Sequence, residues 1–585
     1  MVTSSLPEVP LDRFLRYDEL VDLLHGLAAA RPELMTLDEL GRSHEGRGIW
    51  LATLTNQATG PHHEKPALWV EANIHSVEVT GSVAALHLIH TLLSTYGGDG
   101  REAERVTRAL DTRTFYVLPR LNPDGAELAL SDAPRFLRSS VRPWPRADVR
   151  VDGYVESDVD GDGRILSMRI PDPNGTWKAD AEDPRLLVAR SADDGPADGP
   201  YWRLLPEGLV EDYDGDLVPR AKKVENLDLN RNWPMEWRPP GEQRGAGDYS
   251  TSEPEVRAAV AGMIARPNLC GYIAYHTFSG VHLRPYSAHA DDTLPTADLR
   301  MYKAIGKGLT DITSYRNISV YHDFKYDLKQ TEGGASDDWA YDHLGLFAWT
   351  TELWNPQKAA GIEDTFHFIE WFNEHPIEDD RKLLSWADAE IPGRGYVDWY
   401  AFDHPQLGPV ELGGWDSFHT WTNPPAHLIA AEVVPQTRAA VWHCLISPRL
   451  ELRRFVAEPA PPGEPADTVA NDVWRVRVVV ENSGWLPTQV SQKALDRKAV
   501  RGIEVTLTLP DGATLAAGKA LQELGQLAGR ALKTNMIGAG EDPTDDRTKA
   551  EWVVIAPIGT ELAVEASHPR AGVVRGSLVL GASPT

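Results

Sequence analysis

Cysteine is nearly absent: the 585 residues include two, Cys270 and Cys444. One bridge is the most they can form, so a disulfide framework is excluded, and so is a zinc site built from thiolates. Long apolar runs are missing too, none approaching the ~20 residues that a membrane-spanning helix needs. The opening Met1-Val2-Thr3-Ser4-Ser5-Leu6-Pro7 lacks the basic start and apolar stretch of a secretory leader. Positive charge is scarce: 58 Lys and Arg stand against 86 Asp and Glu, a formal charge of −28. Such a surface repels phosphate backbones and anionic lipid, so neither nucleic acid nor a membrane is expected as partner. The expected location is the cytoplasm, or outside the cell if a leader has been removed, and oligomeric state has no signature. What is present is an ordinary globular balance, 42% hydrophobic and 25% charged, enough to bury a core.

Along the chain, Leu20, Leu23, Leu24 and Leu27 recur at helical spacing after Asp18, a candidate cap, and Pro32 closes the helix. Ile49 to Thr55 and Ala67 to Ala72 read as strands, the second running into Asn73-Ile74-His75. Behind it Val79, Val83, Leu86 and Leu93 mark one face of a helix. Strand, polar corner, helix is the arrangement that presents side chains at the carboxyl edge of an α/β sheet. Phe115 to Leu118 is a further strand, ending at the turn Asn122-Pro123-Asp124-Gly125. From about 141 to 224 the texture turns rich in Pro, Gly and Asp and reads as a long insertion with short strands. Regular texture resumes through Leu269 to Tyr275 and Leu346 to Thr350. A catalytic-sized unit over 1–456 is then followed by a Pro-rich linker, 457–469. Over 470–585 the period becomes two, and at least five strands predict a β-sandwich.

One spacing carries chemistry. His75-Ser76-Val77-Glu78 sets an imidazole and a carboxylate three residues apart, which at the start of a helix points both to one side. The spacing alone says little, because His367 with Glu370 and His375 with Glu378 repeat it, though without a preceding strand. A plain polar helix start, its glutamate held by first-turn amides, explains His75 and Glu78 as well as a metal does. His276 tips the balance by ending another strand of buried type. Two His and one Glu, with a fourth position for water, is the pattern of a catalytic zinc site.

Around this set, further landmarks follow in order: Gly41 to Arg47, Asn122-Pro123-Asp124-Gly125, Asp228-Leu229-Asn230-Arg231-Asn232-Trp233, Ser252-Glu253-Pro254-Glu255, His276 and Thr351-Glu352-Leu353. Over roughly 15 to 450 the sequence resembles the zinc metallocarboxypeptidases of the carboxypeptidase A/B type. The resemblance implies an α/β/α sandwich with a mixed central sheet, and a zinc ion held by His75, Glu78 and His276. It implies Glu352 as general base, Asn230 and Arg231 as the grip on a terminal carboxylate, and Arg138 as the stabiliser of the oxyanion. Asp228 matches a carboxylate that orients a zinc-bound imidazole, His75 being the candidate.

Two departures bear on substrate. Counting back from Gly333-Gly334, the place of the family's closing tyrosine is Lys329, with Tyr326 a nearby substitute. The specificity position is Asp337 counted from Trp339, favouring a basic terminal side chain, or Ser336 counted from Gly334. A second ion has a candidate loop in Asp158, Asp160 and Asp162, with the spacing of a calcium loop but Arg169 at the position where an EF-hand has Glu. Asp212, Asp214 and Asp216 are a further acidic cluster that could complete such a site, and a solvated Asp/Gly turn explains both equally well. The expectation is a zinc carboxypeptidase acting on peptides with a free C-terminus. The alternatives are a zinc amidase for non-standard amides such as cell-wall peptides or modified side chains, its pocket reshaped by the insertion, and a non-catalytic binding protein on the same scaffold.

Overall fold

The computed structural model describes residues 5–145, 152–325, 327, 329–363, 368–460, 473–532 and 543–582. Its centre is an eight-stranded mixed sheet. The strands are β1 (Met35–Arg42), β2 (Gly48–Leu54), β3 (Ala67–Ala72), β4 (Thr114–Leu118), β5 (Leu269–Thr277), β6 (Val281–Arg284), β7 (Arg316–Ser319) and β8 (Phe347–Leu353). Their spatial order is β1-β2-β4-β3-β5-β8-β6-β7. The central run β4-β3-β5-β8 is parallel throughout. Every residue of β3, β5 and β8 is buried, as expected where helices cover both faces of a parallel sheet.

The two-residue period sorts side chains between the layers. Ala67 and Trp69 join a core with the helices Pro254–Ile264 and Thr296–Thr313. Leu68 and Val70 point the other way, onto the helices Tyr17–Ala30, Thr80–Thr95 and Ile429–Leu445. The leucines predicted to face the core do so in Leu20, Leu24 and Leu27. Asp18 is not the cap: Arg16 holds that position, and its backbone N–H donates to Glu19 Oε2 at 3.0 Å.

The short strands expected of the insertion are present. Ser167–Pro171, Trp177–Ala179, Leu187–Ala189 and Trp202–Pro206 form a six-stranded sheet with two strands from far along the chain, Tyr396–His404 and Gly408–Trp415. Its remaining strands, Gly153–Glu156 and Gly208–Glu211, pair as a separate ribbon.

The C-terminal region is all antiparallel, two four-stranded sheets around a Val, Leu and Trp core. Its first strand is Leu450–Pro459, paired with Val473–Asn482. The expected linker therefore starts too early: residues 457–459 are strand, because Val456 to Pro459 continue the ladder to Trp474, and 461–472 lie outside the described residues. The two regions are tied by buried carboxylates. Asp298, 2% exposed, accepts the backbone N–H of Gln492 at 2.7 Å and of Lys493 at 2.9 Å, and the Tyr341 hydroxyl at 2.9 Å. Asp342 meets Lys493 Nζ at 3.2 Å and the Arg497 guanidinium. Both tethers reach the helix Ser336–Asp342, whose first turn carries Asp337.

Two outcomes follow from these buried acids. Asp298→Ala leaves three donors without an acceptor, at about 1–3 kcal/mol per unsatisfied group, so calorimetry should show a clearly lower melting temperature. An unchanged melt would mean the tether contributes nothing. Within the sheet, burial raises the Glu71 carboxyl from an ordinary 4.5 to about 7, although the Tyr272 hydroxyl and the Trp69 indole both donate to it. An acid that holds its proton more tightly when folded contributes fully below its unfolded pKa and loses that contribution as pH rises through the folded one. Between pH ~5 and ~7 the melting temperature of the wild type should fall relative to Glu71→Gln; a constant difference across that range would refute the assignment.

Candidate active site

Three parallel neighbours, β3, β5 and β8, deliver the chemistry at their carboxyl ends. β3 runs out at Ala72, and Asn73 takes a left-handed turn at φ +61°, a conformation that Asn tolerates better than most residues. Its Nδ2 donates to the His75 carbonyl at 2.7 Å, folding the next residues back over the sheet edge. His75 and Glu78 therefore sit in a turn before the helix, which starts at Thr80, and not in its first turn as their spacing predicts. The carboxylate is held by a different strand: the Thr277 N–H donates to Glu78 Oε2 at 3.2 Å. His276 and Glu352 are direct partners across β5 and β8.

His75, Glu78 and His276 converge with donor atoms within 4.8 Å of one another, all buried. His75 Nδ1 lies 2.8 Å from Glu78 Oε1, His276 Nδ1 lies 3.1 Å from Glu78 Oε2, and the two Nδ1 atoms are 3.2 Å apart. Burial and the Arg138 guanidinium oppose charging of His75, yet the carboxylates of Glu78 and Asp228 raise its pKa. For His276 burial prevails and lowers it. Burial likewise works against the Glu78 carboxylate, and the two imidazoles overcome it, holding Glu78 far below the usual range. Two nitrogen bases and a carboxylate crowded out of water fit a divalent cation, and two imidazoles with one carboxylate suit a catalytic zinc site rather than a closed structural one. On the far side of the ring, Asp228 Oδ1 lies 3.3 Å from His75 Nε2 and can only accept, which turns Nδ1 toward the cluster.

A pocket of about 120 Å³ opens on this cluster, lined by Arg138, Asn230, Arg231, Asp337 and Glu352 among others. Burial raises Glu352 well above the ordinary carboxylate range, and the neighbouring charges of Glu78 and Asp337 add to it. Arg138 lies on the rim, its Nε 3.2 Å from Asp228 Oδ2 and its Nη1 3.4 Å from Glu78 Oε1. Arg231 donates to the Asn230 carbonyl at 2.8 Å and pairs with Glu332. Asn230 Oδ1 accepts the Ser336 N–H at 3.0 Å. Gly334 permits that approach: at φ +72° a Cβ there would stand 2.3 Å from the Arg231 carbonyl oxygen.

Of the two countings, the pocket takes Asp337 in its lining and leaves Ser336 behind it. Asp337 Oδ2 is buried with no hydrogen-bond partner, and burial pushes its carboxyl up to about 6. Lys329 is exposed, and Tyr326 lies outside the described residues.

The acidic loop departs from expectation. Asp158 and Asp160 do form a group, but the third carboxylate is Glu207, not Asp162. Asp162 is drawn off by its neighbour Arg164, whose guanidinium lies 2.6 Å from Oδ2. Asp214 accepts the backbone N–H groups of Asp216 and Leu217, and none of the 212–216 cluster joins a metal-sized group among the described residues. The repeated His-x-x-Glu spacings separate as well. His375 stacks on Trp371 at 4.2 Å and lies 3.3 Å from Asp380, while His367 falls outside the described residues.

Glu207 and Glu332 escape sequence reasoning for one reason: each meets its partners only through tertiary contact, Glu332 with Arg231 across 101 positions. The placement of Asp228 yields a direct test. Asp228→Asn should weaken zinc binding about 10–100-fold in a chelator competition, and unchanged affinity would remove Asp228 from the support of His75.

A family model described as zinc carboxypeptidase matches residues 20–183 and 200–374, together more than half of the chain. A second, described as a domain of unknown function, matches 464–579. Among curated relatives, carboxypeptidase A6 of Mus musculus is 23% identical over 372 residues, 62% of this chain and 63% of that protein. Carboxypeptidase D of Anas platyrhynchos is 30% identical over 129 residues, 22% of this chain and 9% of that protein. The chain thus spans less than two thirds of the length of either. The crystal structure of thrombin activatable fibrinolysis inhibitor aligns over 74% of both chains at 16% identity, with a TM-score of 0.41. On the strength of the family model, matched across the segments that carry His75, Glu78, Arg231, His276 and Glu352, the chain belongs to the zinc carboxypeptidase family.

Proposed function

We propose that the chain is a zinc-dependent metallocarboxypeptidase that hydrolyses the C-terminal peptide bond of peptides, with one zinc ion held by His75, Glu78 and His276. One observation carries the reading: two of the three metal donors, His75 and His276, share a single pocket with a buried glutamate and a buried arginine. A metal site alone suits many reactions, and an arginine alone suits any anion. Their combination suits a carboxylate-ended substrate presented to a hydrolytic centre.

Zinc bound there supplies Lewis acidity toward a carbonyl and brings the pKa of water to about 7. The protein's own groups supply the rest. Arg231, 9% exposed, offers a planar fork for the terminal carboxylate, with Asn230 beside it. Its present partner Glu332 is half-exposed and holds the guanidinium in place until a substrate carboxylate replaces it. Asp337, with its unpartnered oxygen, favours a basic terminal side chain, whose charge offsets the cost of ionising a buried acid. Glu352 takes a proton from water and returns it to the leaving amine, a task suited to a carboxylate of raised proton affinity. Arg138 swings from Asp228 and Glu78 toward the oxygen on which charge develops.

Among the described residues none of the insertion 141–224 lines this pocket, which favours ordinary peptides over an amide that only a reshaped pocket would admit. A buried glutamate beside a complete donor set likewise disfavours a purely binding role.

Zinc-loaded protein incubated with a mixed peptide library should release C-terminal residues one at a time, read by mass spectrometry. Cleavage only at internal or side-chain amides would replace the proposal with the amidase reading. Glu352→Gln should lower turnover about 10²–10⁴-fold with zinc content unchanged, and normal turnover in that variant would exclude Glu352 as the base.

A further inference from the structure

Against a formal charge of −28, a cleft beside the catalytic pocket is basic. It measures about 1000 Å³ and adjoins the catalytic pocket, sharing Arg138, Arg231 and Glu332 with it. Arg220, Lys222, Lys223 and Arg244 also line it, all four exposed. The carboxylates in its walls are already engaged: Asp228 with Arg138, Glu332 with Arg231, and Glu225 with Arg135 at 3.1 Å. Of the four rim cations, Lys223 alone meets a carboxylate among the described residues. Lys223 has Glu156 at 3.8 Å, and Arg244 donates to the amide oxygen of Asn226 at 3.1 Å. Among the described residues, Arg220, Lys222 and Arg244 have no carboxylate within ion-pair distance.

The rim is built, not incidental. The Ala221 N–H donates to the Tyr154 carbonyl at 3.2 Å, the Trp144 N–H to Val224 at 2.9 Å, and the Asp228 N–H to Gly245 at 3.0 Å. These bonds fix the end of the insertion beside the catalytic edge, so the insertion shapes this second cleft while staying out of the first pocket.

A chain whose last residue lies against Asn230, Arg231 and Asp337 must leave the small pocket, and the wall it shares with the cleft is Arg138, Arg231 and Glu332. We propose that the cleft receives the segment of substrate preceding the scissile bond and selects acidic side chains there. The inference rests on the peptidase reading above and adds a substrate class to it: peptides with Glu or Asp upstream of the residue released. An acidic protein repels such peptides at long range, whereas a concave surface of the opposite sign concentrates them at the site in a salt-dependent way.

The test uses zinc-loaded full-length protein and two N-acetylated hexapeptides with the same last three residues, preceded by three Glu or by three Ala. At low ionic strength kcat/KM for the Glu peptide should exceed that for the Ala peptide by about tenfold, and added salt should erase the difference. In the variant combining Arg220→Glu, Lys222→Glu, Lys223→Glu and Arg244→Glu, the ratio should invert. A ratio near one in the wild type, or a preference that survives the reversals, overturns the proposal. A blocked dipeptide that ends inside the catalytic pocket reports the peptidase reading separately. Should it resist hydrolysis, anisotropy of the labelled hexapeptides on Glu352→Gln protein decides the cleft by binding alone, and equal affinities overturn it.

Discussion

Two imidazoles and a carboxylate, drawn to within 4.8 Å of one another and almost sealed from water, are the interaction around which the molecule is arranged. Burying such groups together costs several kcal/mol unless each finds a partner. The surroundings are partners of that kind. Asp228 stands behind His75, the Thr277 amide meets Glu78, and Arg138 lies over both acids at the rim. The cluster must also be assembled from distant segments, and three parallel strands do this by ending at one edge. Register then matters as much as sequence: a slip of one residue between β5 and β8 would send Glu352 to the opposite face of the sheet.

The parts outside the central sheet support that edge from different directions. The C-terminal β-region reaches Asp298 and Asp342 and so holds the helix that brings Asp337 to the pocket. The insertion joins strands 396–415 in a sheet of its own, and its end lines the cleft beside the catalytic pocket. Among the described residues, neither adds a donor to the His75, Glu78 and His276 set. Their bearing on the chemistry is geometric, through what they hold still and what path they leave open.

Charge is distributed with the same economy of place. The acidic excess covers the molecule as a whole, while cations gather where the catalytic pocket widens into the second cleft. Around the pocket the opposite charges are paired: Glu78 and Asp228 both with Arg138, and Arg231 with Glu332. Asp337, in the pocket lining, is the exception, with one buried oxygen unpartnered.

The sequence by itself determined the strands that matter, because full burial on both faces leaves a largely apolar run in Ala67 to Ala72, Leu269 to Tyr275 and Leu346 to Thr350. It also marked the polar residues at their ends, where an imidazole or carboxylate has no business unless something charged is nearby. It misplaced what depends on backbone closure. The turn at Asn73 put His75 and Glu78 ahead of the helix, and the ladder from Leu450 carried the β-region into the expected linker. Only the tertiary structure decided which acids act in pairs: Glu332 with Arg231, Glu207 in place of Asp162, Asp298 with the amides of Gln492 and Lys493. The physical reason is range. Periodicity and capping are written within a few residues, whereas an ion pair or a hydrogen bond between segments a hundred residues apart exists only once the chain has closed on itself.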